Sequence, residues 1–279
     1  MKVCSIGVGL IGGSMALALK KHFPKTIVHG LDASKAHVEK AIALGIIESE
    51  AKFSDLSNFD LVIISVPVDA IASTAQKVLA NIHENALVVD MGSTKAKICE
   101  ELANHPKRNQ FLPAHPIAGT EFSGPSASFA DLFEGARMII CEPEATRLDL
   151  RKKAYQYFQQ LGMELQFMTP KAHDQHLAYV SHLSHVSSFM LGKTVLDLES
   201  NEKEIFRLAG SGFASTVRLA KSNPTTWSAI FSENKEEVLT SLRAYQKNLS
   251  LFEEVIKNND VEGLKQLLES TSRIKEIII

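Results

Sequence analysis

The sequence predicts an α/β fold in which a doubly wound parallel sheet is followed by an all-helical domain. Three observations carry this. Short apolar runs alternate with helical stretches over residues 1–168, a glycine loop closes the first run, and long helical stretches replace strands after Pro170. A chain of 279 residues is also long for one core, so two domains are expected, 1–168 and 169–279.

The first strand is Lys2–Ile6, which enters the loop Gly7-Val8-Gly9-Leu10-Ile11-Gly12, and residues 13–21 then read as a helix ending near His22 and Pro24. A second strand, 26–31, ends at Asp32, and helix 33–44 is stopped by Gly45. Residues 61–66 form an unbroken apolar run closed by Pro67, as expected of a parallel strand buried on both faces. Helix 70–80, strand 86–91 with its break at Gly92, and a helix from about Lys95 to Ala103 follow. Strand 111–114 delivers His115, and strands 138–141 and 164–167 flank helix 148–161. Beyond Pro170 the helical stretches are 172–198, 205–221 (interrupted by Gly210 and Gly212), 224–252 and 261–278.

Composition sets the remaining bounds. Hydrophobic residues make up 45% and charged residues 22%, with a formal net charge of −2 and a pI near 6.6, so neither nucleic acid nor an anionic membrane is expected as partner. Cys4, Cys99 and Cys141 are odd in number and widely spaced, which suits reduced structural thiols. The first strand begins at Lys2 with no secretory pattern before it, and no apolar run reaches membrane-span length, so a cytoplasmic protein is expected.

The glycine loop follows a strand and opens a helix. In that setting glycines allow a tight turn and close approach to a pyrophosphate, while the helix start offers free N–H groups. Gly7, Gly9, Leu10, Ile11 and Gly12 are therefore candidate dinucleotide contacts in a Rossmann-type domain. Asp32 lies about 20 residues past the last glycine, where a carboxylate accepts from ribose hydroxyls and repels a 2′-phosphate, favouring NAD over NADP. Ser65 and Pro67 close a later strand on the same sheet edge and are candidate cofactor neighbours, although Pro67 is equally explained as a strand stop. Downstream, His115-Pro116-Ile117-Ala118-Gly119-Thr120-Glu121 supplies an imidazole able to take a hydroxyl proton while a nicotinamide takes hydride from the same carbon.

These motifs resemble the prephenate dehydrogenase family of tyrosine biosynthesis. The likeness runs through residues 7–12, Asp90-Met91-Gly92-Ser93-Thr94-Lys95, 115–121, Val180-Ser181-His182-Leu183-Ser184-His185, and 210–227. It implies oxidative decarboxylation of prephenate to 4-hydroxyphenylpyruvate with NAD reduction. His115 would be the proton acceptor for the ring hydroxyl and Ser93 its hydrogen-bonded orienting partner, with a helix-capping role for Ser93 supported almost as well. Arg218 would hold the ring carboxylate, His185 would help to hold the substrate, and Glu121 would lie near the site entrance. Ser181 and His185, four residues apart, share a helix face, and Asp174 falls on nearly the same azimuth near the domain interface. Trp227 could wall the pocket or simply fill core. Gly212 belongs to a turn read as Gly210-Ser211-Gly212-Phe213, with serine where relatives often carry a third glycine. No metal is expected, because nothing completes a ligand set around His173, His176, His182 and His185.

Arogenate or dual-specificity cyclohexadienyl dehydrogenase is the nearest alternative, and a non-catalytic NAD-binding redox sensor is the alternative of another class. The apolar helix 180–198 exceeds what a small domain can bury, so a homodimer through the helical domain is expected.

Overall fold

The computed structural model describes residues 1–199 and 205–277. Strands β1 (Lys2–Ile6), β2 (Ile27–Leu31), β3 (Leu61–Ile64), β4 (Leu87–Asp90), β5 (Phe111–Ile117), β6 (Arg137–Cys141) and β7 (Glu164–Met168) form one sheet in the order β2-β1-β3-β4-β5-β6-β7. The order reverses between β1 and β3, so the loops leaving those two strands diverge and open a crevice at the carboxyl edge.

Alternation along the strands assigns residues to the two faces. Val3, Leu61, Ile63, Leu112 and Ala114 pack with Met15 and Leu19 of α1 (Leu10–His22) and with Leu150, Ala154 and Phe158 of a helix over Leu148–Gln160. Their sequence neighbours Cys4, Val62, Ile64 and Phe111 pack on the other face, against helices over Val68–Asn81 and Ala96–Leu102. Both faces are therefore dry, and β3 between them is apolar at every position. Trimming a fully buried residue such as Ile63 to alanine is expected to cost about 2–5 kcal/mol. With α2 (Lys35–Ala43) between β2 and β3, these helices are α3 (Val68–Asn81), α4 (Ala96–Leu102) and α5 (Leu148–Gln160).

The sheet is not wholly parallel as expected. β6 runs antiparallel to β5, with Ala114 opposite Ile140 and His115 opposite Ile139. β5 also continues through His115 to Ile117, so the histidine sits within a strand rather than just beyond one.

Past β7 come α6 (Pro170–Leu177), α7 (Leu183–Glu199), α8 (Ser211–Thr216), α9 (Pro224–Glu233), α10 (Lys235–Lys257), α11 (Val261–Thr271) and α12 (Ile274–Ile277). The expected single helix over 172–198 is divided by a π-helical turn, Ala178–His182. The stretch 205–221 contains only the short α8 between two 3₁₀ turns, Ile205–Leu208 and Arg218–Lys221. The expected helix 224–252 breaks at Asn234, whose side chain is engaged by other elements, and 261–278 divides after Thr271, its last residue lying outside the described ones. The chain falls into two compact units, Met1–Asn234 and Lys235–Ile279. Every candidate site residue belongs to the first.

Candidate active site

The glycine loop joins β1 to α1 in a form that only glycine permits at two positions. Gly7 has φ +87°, and a Cβ there would lie 2.5 Å from the Ser65 carbonyl oxygen on the loop leaving β3. At Gly12 a Cβ would collide with the Gly7 carbonyl. Gly9, by contrast, has open space where its Cβ would be, and it caps α1 without any side-chain hydrogen bond. The first turn of α1 carries no acid, so the N–H groups around Leu10, Ile11 and Gly12 keep their attraction for an anion.

Asp32 stands against this loop. Its Oδ2 accepts from the Val8 N–H at 3.0 Å, its Oδ1 accepts from the Ser34 N–H at 2.9 Å, and His37 Nδ1 lies 3.4 Å from Oδ1. Ser34, rather than Asp32, caps α2. The Ser65 hydroxyl is buried without a hydrogen-bond partner among the described residues, a vacancy in its bonding that a bound polar molecule could fill. Pro67 is exposed and starts α3 as its N-cap. From the segment between β5 and β6, the Ser128 hydroxyl donates to the Gly9 carbonyl at 3.1 Å, and the Phe129 N–H donates to Ser14 Oγ at 3.1 Å. A cradle with free N–H groups, room at Gly9 and an unpaired serine hydroxyl fits a dinucleotide.

His115 is buried, and its Nδ1 is 2.8 Å from Nε2 of His173. His173 Nδ1 is in turn 2.7 Å from Oδ1 of Asp174, whose carboxylate accepts from the backbone N–H groups of Lys95 at 2.7 Å and Ala96 at 2.8 Å. The Lys95 ammonium is fully buried and donates to Asp90, which also accepts from the N–H groups of Gly92 and Ala114. Burial first, and then the charges around His173, Lys95 and His182, hold the His115 pKa well below the ordinary 6.5. His115 is neutral near pH 7.

Ser93 does not make the hydrogen bond to His115 expected of it. It is half-buried on the loop leaving β4, and His173 is the partner that engages His115 Nδ1. The neighbouring Thr94 hydroxyl is buried and unpartnered among the described residues.

Asn234 ties this network to the helices. Its Nδ2 donates to the Asp174 carbonyl at 2.8 Å and lies 3.2 Å from His182 Nδ1. His182 is pushed down to about 4 by burial, and its ring meets Trp227 edge-on. On Trp227 the His185 ring is stacked, while its Nδ1 donates to the Ser181 carbonyl at 3.0 Å. The π turn between Asp174 and His185 adds a residue per turn to the helical count, which removes the common azimuth expected of them. Asp174 instead faces α4. Arg218 is exposed, with Nη1 3.4 Å from Glu121 Oε2, and Gly212 is exposed inside α8 with open space around it.

His173, Lys95, Asp90 and Asn234 had no role in the sequence reading. The adjacent pair His173-Asp174 was visible, but its partners lie more than fifty residues away in the chain. Among the described residues no group of three or more His, Cys, Asp or Glu side chains could hold a metal ion. The three cysteines are free and buried, and burial raises all three thiol pKa values.

Residues 15–166 match the model of the prephenate dehydrogenase nucleotide-binding domain, and 169–270 match that of the prephenate dehydrogenase dimerization domain. The chain is 31% identical to the prephenate dehydrogenase of Bacillus subtilis over 92% of its own length and 71% of the relative's. It is 28% identical to the cyclohexadienyl dehydrogenase of Zymomonas mobilis, over 98% of this chain and 94% of that one. Its fold is similar to that of prephenate dehydrogenase from Aquifex aeolicus, solved in complex with hydroxyphenyl propionate and NAD+. The TM-score is 0.91 at 33% identity, covering 100% of this chain and 98% of the other. With a nucleotide cradle, a buried histidine on the same sheet edge and both family domains matched in order, the chain belongs to the prephenate dehydrogenase family.

Proposed function

We propose that the chain is an NAD-dependent prephenate dehydrogenase, catalysing oxidative decarboxylation of prephenate to 4-hydroxyphenylpyruvate. Residues 1–168 form its NAD-binding domain, and 169–279 its substrate-binding and dimerising domain. The observation that carries this reading is His115, a buried imidazole kept neutral at the edge of the sheet that bears the glycine cradle. A neutral ring can accept the proton of a substrate hydroxyl, and exclusion of water keeps that acceptor unprotonated.

Gly7, Gly9, Leu10, Ile11 and Gly12 hold the dinucleotide's pyrophosphate, Asp32 its ribose hydroxyls, and Ser65 and Pro67 flank its path. When bound, NAD supplies the hydride acceptor. Ser93 contacts the substrate hydroxyl on the side away from His173. Arg218 holds the ring carboxylate until it leaves as carbon dioxide, and Trp227, His185, Ser181 and Gly212 surround the substrate side chain. Exposed apolar residues on the π turn and α7, among them Val180, Met190 and Leu196, support a homodimer. No described helix is long and apolar enough to cross a membrane.

Arogenate is the second reading, favoured by one observation. A carbonyl can only accept, so the contact with Ser181 puts the His185 proton on Nδ1 and leaves Nε2 an acceptor suited to an ammonium group. The test is reduced-nicotinamide absorbance with each substrate. We expect kcat/KM for prephenate to exceed that for arogenate by at least about tenfold. The reverse order would make the chain an arogenate dehydrogenase, and no turnover of either would leave only a nucleotide-binding protein.

A further inference from the structure

The His115 imidazole is one end of a chain of hydrogen bonds whose proton positions can be deduced. At the far end, the Asp174 carboxylate accepts from two backbone N–H groups, those of Lys95 and Ala96. Both carboxylate oxygens are engaged as acceptors by these bonds, and a carboxylate only accepts. The 2.7 Å contact between Asp174 Oδ1 and His173 Nδ1 therefore has its proton on the histidine. A neutral His173 protonated at Nδ1 presents a lone pair at Nε2. That nitrogen is 2.8 Å from His115 Nδ1, so His115 is the donor and carries its own proton on Nδ1.

We propose that His173 and Asp174 are a positioning pair that locks His115 as the Nδ1–H tautomer, making its Nε2 the atom that accepts the substrate's hydroxyl proton. This rests on the reading of His115 as the proton acceptor. The pair touches neither substrate nor cofactor. In the reacting step the hydroxyl proton moves to Nε2, the O–H electrons stay on oxygen, and the Nδ1–H bond to His173 persists throughout.

Several features of the surroundings enforce the arrangement. His173 is 0% exposed and Asp174 3%, so no bulk water competes for either bond. Asn234 holds the Asp174 backbone, and the N–H groups before α4 hold its side chain. The groups facing the two rings are Lys95, paired with Asp90, and His182 from the π turn. Burial, with the Lys95 ammonium after it, opposes a second proton on either ring, so the neutral tautomers are the ones that matter. A histidine with the opposite tautomer would offer Nε2–H, a donor, to a hydroxyl that must lose its proton.

The test uses the full-length protein with histidines labelled with ¹⁵N. Nitrogen chemical shifts separate protonated from unprotonated ring nitrogens, and a His115→Asn spectrum identifies the His115 signals. We expect a protonated Nδ1 and a bare Nε2 at His115 near neutral pH. A protonated Nε2 in the wild type would overturn the proposal, whatever any variant does. His173→Gln retains an acceptor for His115 and a donor for Asp174, and kcat should stay within about tenfold of wild type. His173→Phe keeps a ring without an acceptor, and kcat should fall by about a hundredfold or more with the NAD KM unchanged and Nε2–H appearing at His115. An unchanged tautomer and an unchanged kcat in His173→Phe would also overturn it. Normal turnover in His115→Asn would instead remove the proton-acceptor reading while leaving the tautomer result to stand or fall alone.

Discussion

His185 lies flat on Trp227, with ring centroids 3.3 Å apart and planes inclined by 21°. Trp227 is the sole tryptophan of the chain, so its emission reports on the two histidines against it, His185 stacked and His182 edge-on. Burial lowers the His185 pKa, with Arg218 adding to the effect. A protonated imidazole quenches a stacked indole, so fluorescence should drop on acidification with a midpoint below the ordinary 6.5. His185→Leu should remove this transition and leave only the one from His182 at about pH 4. A midpoint at or above 6.5 would contradict the burial.

Among the described residues Arg218 is held by a 3.4 Å contact to Glu121, and its side chain is half exposed. A guanidinium so lightly engaged is available to a carboxylate ligand. Arg218→Ala should raise the substrate KM by about 10–100-fold, the worth of a charged hydrogen-bonded contact, and leave the NAD KM nearly unchanged. Equal effects on both constants would exclude Arg218 as the carboxylate anchor.

Asp32 braces the Val8 N–H, and its proposed second use is to face the cofactor ribose. Asp32→Ala should raise NADP efficiency relative to NAD by removing the charge that repels a 2′-phosphate. Its loss of the Val8 contact should also weaken NAD binding. Steady-state kinetics with both cofactors would separate the two effects, and an unimproved NADP-to-NAD ratio would refute the assignment.

Acid should act on this protein twice. The proposed proton acceptor, His115, acts in its neutral form and its pKa is depressed, so kcat/KM should hold as pH falls through 6.5 and decline only well below it. Stability responds differently. His182 titrates at about 4 when folded and near 6.5 when unfolded, so between those values the unfolded chain binds the extra proton. Its contribution is complete above 6.5 and is lost as pH falls towards 4, amounting to about 3 kcal/mol. Denaturant midpoints measured across that range should fall in wild type and fall less in His182→Gln.

Much of the sheet and its nucleotide cradle was legible in the chain. Gly7 is required by its positive φ and Gly12 by close backbone approach, and Asp32 does reach the loop. Strand direction was not legible. The apolar run before Cys141 has the same pattern whether it pairs parallel or antiparallel with β5, because a period of two carries no polarity. The π turn was hidden for a related reason: helical periodicity assumes a constant residue count per turn, and one inserted residue rotates everything beyond it. That rotation is why Asp174 looked like a companion of His185 and is instead the end of the chain that begins at His115. His173 stood only among four histidines without a completed ligand set, since its partner is set by tertiary contact alone.

The reversal of β6 decides how freely the surroundings of His115 can vary. Pairing between β4 and β5 stops at Pro113, yet the ladder with β6 runs from Ala114 to Ile117, so the histidine's backbone is registered against residues 137–140. The segment joining the two strands leaves after Ile117 and returns at Arg137, the partner of Ile117, at one end of that registered stretch. Its length and composition can drift without moving the imidazole, so new substrate or cofactor preferences can be explored there while the proton acceptor keeps its address.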